Sequence, residues 1–140
     1  MPFLKTTAQL THRGTMAMLT GAIAKAESMG QPQCIVIVDA SGEVLGEIRM
    51  TGARFLSRKS ALAKALTAAS IGAPSSNIPE LMRDALGMAS GGAVTGLKGG
   101  LPIRINGELV GGIGVGSGSG DQDLEVALAA LAAIGADHSF

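Results

Sequence analysis

Five cations and no acid lie between Glu47 and Glu80: Arg49, Arg54, Arg58, Lys59 and Lys64. The 11 basic and 11 acidic residues of the whole chain cancel, so a stretch this uneven asks for an explanation. Guanidinium and ammonium groups held together suit a small carboxylate, or a ligand bearing propionates, because such an anion accepts several charge-assisted hydrogen bonds at once. The competing reading is a solvated helix face, or ion pairs across a contact between copies. The candidate anion contacts are Arg49, Arg54 and Lys64. Gly99, Gly100 and Gly112 are candidates for backbone that approaches the ligand closely. If so, exchanging Lys64 for Met weakens carboxylate binding and leaves the empty fold as stable as before, or more so.

Other residue types invite chemistry and mostly fail on spacing. The glycine loop Gly116 to Gly120, with the strand glycines Gly112 and Gly114 just before it, follows a strand pattern and precedes a helix pattern, as a phosphate cradle does. No frame in it gives G-x-G-x-x-G, and no lysine follows as in a P-loop. Asp121 and Asp123 at the start of that helix would repel a phosphate and serve the helix dipole themselves. His12 and Met16 are four apart on one helix face, a pair that can ligate haem iron, though this spacing is common by chance. His138 is two residues from the end of the sequence. Cys34 sits in an apolar run and reads as a small buried hydrophobe. Asp39, before Ser41-Gly42, reads as a turn former, with a general base as the alternative.

The elements that must position these residues follow from pattern. Thr6 and Gln9 can form a capping box ahead of a helix to about Met29, with Leu10, Gly14, Ala17, Met18, Gly21, Ala22 and Met29 on one face. QCIVIVDA, residues 33–40, is apolar throughout and predicts a central strand. Val44 to Met50 is its hairpin partner. Phe55 to Ile71 is an alanine-rich helix stopped by Gly72 and Pro74. A short helix follows over Ile78 to Leu86, capped by Asn77, and Ala93 to Leu97 is a short strand. Asn106-Gly107 between two alternating runs is a strong hairpin signal. Glycines inside the second of these strands imply that something packs very near its backbone. Asp121 can cap the last helix. The order is helix, hairpin, helices, strand, hairpin, helix, which predicts an α+β domain with a five-stranded antiparallel sheet, one domain over 1–140.

Composition bounds the rest. Zero net charge excludes a nucleic-acid binder by bulk electrostatics. No apolar run is long enough to span a membrane, and MPFLKTTAQL has no signal core, so a cytoplasmic protein is expected. One cysteine excludes an internal disulfide. Small residues on two helix faces predict a homo-oligomer.

Three stretches together resemble the GlcG/HbpS family, the domain of unknown function 336: VIVDASGEVLGEIRMTGA, KALTAASIGAPSS and GLKGGLPIRINGELVGGIGVGSGSGDQD, at Val36–Ala53, Lys64–Ser76 and Gly96–Asp123. The same stretches are similar to the C-terminal domain of PduO-type cobalamin adenosyltransferases. The resemblance implies a profilin-like fold, a five-stranded antiparallel sheet flanked by helices, in a homo-oligomer. It implies a small-molecule-binding domain, with haem or another tetrapyrrole as the ligand. Two alternatives stand beside it: a small enzyme or enzyme accessory acting on a small organic acid in a catabolic pathway, and a structural homo-oligomer without its own ligand. The shared stretches carry no iron ligand, which leaves His12 and Met16 as the weak haem-ligand candidates and no other metal site.

Overall fold

CIVIV, the run that Asp39 ends, has no polar side to show to water, and it lies inside the sheet. A computed structural model describes residues 2–140, with Cys34–Asp39 as β1, buried through Val38. Val44–Arg49 is β2, Gly100–Ile105 is β3 and Glu108–Gly116 is β4. The strand order is β2-β1-β4-β3, antiparallel throughout. Asn106 and Gly107 turn β3 into β4 with φ of 52° and 79°, the left-handed pair that a tight hairpin needs. The helices are α1 (His12–Ser28), α2 (Ser57–Ile71), α3 (Arg83–Ala89) and α4 (Gly120–Ala133). Two 3-10 turns, Ser75–Asn77 and Glu80–Met82, precede α3 in place of the longer helix expected from Ile78. Among the described residues no helix is long and apolar enough to cross a membrane.

The sheet has four strands and not five. Ala93–Leu97 stays irregular because a side chain takes its backbone groups: Thr67 Oγ1 donates to the Ala93 carbonyl (3.1 Å) and accepts from Thr95 N (3.0 Å). Two caps also differ from expectation. α1 starts at His12, capped by Thr11, whose hydroxyl accepts from Gly14 N. The segment before it is tied elsewhere, Ala8 N donating to Glu108 Oε1 at 3.0 Å. α4 is capped by Ser119 in a reciprocal box with Gln122, while Asp121 binds Lys98 at 2.7 Å.

The helices cover opposite faces. α1 and α4 lie over Ile35, Ile37, Ile103 and Ile113. α2 lies on the other face over Cys34, Val36 and Val38, through Ala61, Ala65 and Ala69. Alanines alone let α2 come this near, and glycines in β4 complete the approach. A Cβ on Gly112 would stand 2.9 Å from Ala69 N, and one on Gly114 would stand 2.6 Å from Ala65 N. The small residues of α1 meet α4, where a Cβ on Gly21 would stand 2.8 Å from Ala133 Cβ. The small-residue faces are therefore used within the chain.

Asp39 closes the β1–β2 turn. Its Oδ1 accepts from Ser41 Oγ (2.8 Å), Ser41 N (2.9 Å) and Glu43 N (3.0 Å). The Ser41 hydroxyl leads in holding this carboxyl below the usual aspartate range, with the backbone bonds adding to it. A carboxyl depressed by folding contributes stability above its unfolded pKa and loses it as pH falls through the folded value. Asp39→Ala should therefore cost about 1 kcal/mol at neutral pH, the scale of a net hydrogen bond, and less in acid. Urea denaturation at both pH values checks this; an equal cost at both would contradict it.

Candidate functional site

The first turns of α2 and α4 face each other across a cleft of about 260 Å³. Arg54, Lys64 and Lys98 bring cations to it, Ser57, Ser60 and Ser117 bring hydroxyls, and Gly118 and Gly120 bring backbone. Ser117 is a non-glycine residue in left-handed backbone, φ 97°, and its hydroxyl accepts from Arg54 N at 3.0 Å. That bond ties the loop before α4 to the loop before α2. Leu97, 57% exposed, also lines the cleft, and Phe55 and Leu56, next to Arg54 in sequence, are 67% and 62% exposed. Cations and hydroxyls thus sit beside exposed apolar side chains.

Lys64 is the buried member. Its Nζ donates to Asp123 Oδ2 at 2.9 Å and to the Val115 carbonyl at 2.7 Å. Asp123 Oδ1 in turn accepts from Gly118 N at 3.0 Å. Two of the three ammonium donors are thereby engaged, and the charge is matched inside the chain. Lys98 is exposed and bonds Asp121, whose carboxyl it holds below the usual range by that bond and by its charge. A ligand carboxylate at Lys98 would displace Asp121. Gln33 is fully buried beside Gly118 with neither amide atom hydrogen-bonded, which is unusual for a native interior.

Of the six residues singled out as anion contacts and backbone, Arg54 and Lys64 line this cleft. Gly99 lies against it, at φ 122°, where a Cβ would stand 2.8 Å from Asp123 Cβ and 3.2 Å from Lys64 Nζ. Gly100 packs on the Lys64 carbonyl and on Ser75, whose hydroxyl accepts from Gly100 N. Gly112 packs beneath α2, and Arg49 stands exposed on β2. Sequence reasoning passed over Lys98 and the three serines. Ser57 and Ser60, three apart at the start of a helix that has no acid in its first turn, were the available signal.

The remaining candidates are elsewhere. His12 and Met16 are exposed on α1, which covers the opposite face of the sheet from α2. Cys34 is buried, and burial pushes its thiol up against the opposing pull of Arg49 and Arg58, so it stays a thiol. Asp39 is occupied in its turn.

Residues 10–132 match the family described as "Haem degrading protein HbpS-like". The chain belongs to the HbpS-like family. Among curated proteins nothing matches it significantly. Three solved structures show how far the likeness extends. A PduOC:heme complex is 27% identical with a TM-score of 0.86, over 93% of this chain and 98% of that one. HbpS is 34% identical with a TM-score of 0.82, over 93% of each chain. The Klebsiella pneumoniae protein ORFY, of DUF336, is 24% identical with a TM-score of 0.92 over 99% of each, and shows the shared fold alone.

Proposed function

We propose that this HbpS-like chain is a small-molecule-binding domain whose ligand carries carboxylates on an apolar body, with haem or another tetrapyrrole as that ligand. One observation carries the reading: Arg54, Lys98 and three serine hydroxyls converge on a single cleft beside exposed Leu97. The likeness to a PduOC:heme complex supports it. The unpaired Gln33 amide behind Gly118 is a further polar group without a partner next to the cleft. The cleft fits the carboxylates of haem and does not fit its iron, because no side chain lining it is a His, Cys or Met. His12 and Met16 offer such ligands only on α1, across the sheet.

The cleft volume of about 260 Å³ favours a second reading, a small organic acid held wholly inside it. The cations act alike in both.

Hemin titration of three variants tests the assignment. Arg54→Ala and Lys98→Ala should each weaken binding by about 1.5–3 kcal/mol, the scale of a hydrogen bond to a charged group, which is roughly ten-fold or more. His12→Ala should leave the affinity unchanged. Loss of binding in His12→Ala, with both cation variants like wild type, would move the site to α1 and overturn the cleft.

A further inference from the structure

The two edges of the sheet are unlike. β3 carries Pro102, which has no N–H, and its Arg104 carbonyl already accepts from Asp137 N at 2.8 Å. Proline and a covering segment are common ways of closing an edge. β2 has neither, and among the described residues it pairs with β1 alone. Met50 N donates to the Gln33 carbonyl, so residues 46, 48 and 50 turn their backbone groups toward β1. Glu47 and Arg49 therefore turn theirs outward, and Leu45 sits at the register shift beyond Gly46. Val44, Leu45 and Ile48 are 46%, 39% and 39% exposed. α2 packs on β1, β3 and β4 and reaches β2 through the exposed Arg58–Glu47 pair, while α1 lies against the other face of β2 at Gly46, so what β2 leaves open is its outer edge.

We propose that a second copy of this chain occupies this edge, β2 against β2 about a two-fold axis through Ile48, joining the two sheets into one. The charges choose both the partner and the register. Directly opposed residues point to the same face of a sheet, where unlike charges attract and like charges repel. An axis at Glu47 would oppose Glu47 to Glu47. An axis at Gly46 would oppose Leu45 to Glu47 and set two glycines together. An axis at Ile48 sets each Glu47 opposite the other copy's Arg49, twice, with Ile48 on Ile48 between them. Arg49 has no acidic partner of its own among the described residues, and Glu47 bonds only the exposed Arg58, at 3.1 Å. The contact is isologous, and its closure limits it to two copies at this edge.

Charge exchange tests the contact on the full chain. Wild type should be a dimer, or a multiple of one, by light scattering at tens of micromolar. Glu47→Arg places Arg opposite Arg, and Arg49→Glu places Glu opposite Glu. Each should fall to half the wild-type mass or less while circular dichroism shows it folded. An equal mixture of the two variants should regain the wild-type mass, because one copy then offers Arg at both positions and the other offers Glu at both. A monomeric wild type, single variants of wild-type mass, or folded half-mass variants that fail to combine would each overturn the proposal. None of these results bears on ligand binding at the Arg54 cleft, which is read separately by titration.

Discussion

Lys64→Met should lower stability by about 3–5 kcal/mol, the usual cost of breaking a buried ion pair from one side. Both partners are almost fully covered, the Lys64 side chain 5% and the Asp123 side chain 4% exposed. Removing the ammonium leaves the Asp123 carboxylate in the interior with Gly118 N as its remaining hydrogen-bond donor. The Val115 carbonyl loses a donor as well. This reverses the expectation from sequence, in which Lys64 was a free cation whose loss the empty fold would tolerate. The acid that matches it lies 59 residues away and is invisible to local pattern. A double variant, Lys64→Met with Asp123→Leu, should recover most of the loss, since an apolar pair of similar volume can replace a buried ion pair at little cost. Urea denaturation of the two variants decides. An unchanged midpoint for Lys64→Met would show that the pair contributes nothing and that the wall of the cleft is misassigned.

Gly114→Val should cost at least about 3 kcal/mol, the upper end of the range for overpacked interiors. Its Cβ would press on the Ala61 carbonyl oxygen and stand 2.6 Å from Ala65 N. Both are helix backbone, which cannot swing aside as a side chain can. Either α2 lifts from β4 or the strand bends. For a chain of this length the loss corresponds to a fall in Tm of roughly 6–12 °C. An unchanged Tm would mean that α2 does not lie as close to β4 as described. Lifting α2 also moves Ser57, Ser60 and Lys64, so the variant should lose ligand affinity with stability.

The glycines show what was legible in the sequence and what was not. Gly111, Gly112 and Gly114 inside a strand announced a close neighbour, and the hairpin about Asn106-Gly107 fixed which strand held them. Pattern could not say that the neighbour of Gly112 and Gly114 is α2 of the same chain and that of Gly111 is the β1 backbone at Val38, because strand period carries no information on what lies beside a strand. The antiparallel α+β arrangement and the central position of β1 followed from element order and from an unbroken apolar run. The fifth strand failed because Thr67, 26 residues earlier, takes the backbone groups of Ala93–Leu97. The charge excess around Arg54 pointed to the right region. It did not separate Arg54, which lines the cleft, from Arg49, which stands on the sheet edge. Lys98 escaped notice because it lies outside the basic run and reaches the cleft only through the turn into β3.

Calorimetric titration of the wild-type protein with protoporphyrin, set beside its dimethyl ester, separates recognition of the carboxylates from recognition of the macrocycle. The two ligands share a macrocycle and differ only in whether their carboxylates are free, and neither holds iron. A cleft that works through Arg54 and Lys98 binds the free acid in a saturable way and the ester at least about ten-fold more weakly, the scale of one charged hydrogen bond. Equal affinity for acid and ester would place recognition on the macrocycle, and no binding of either by protein that binds hemin would place it at the metal; each result would contradict the account.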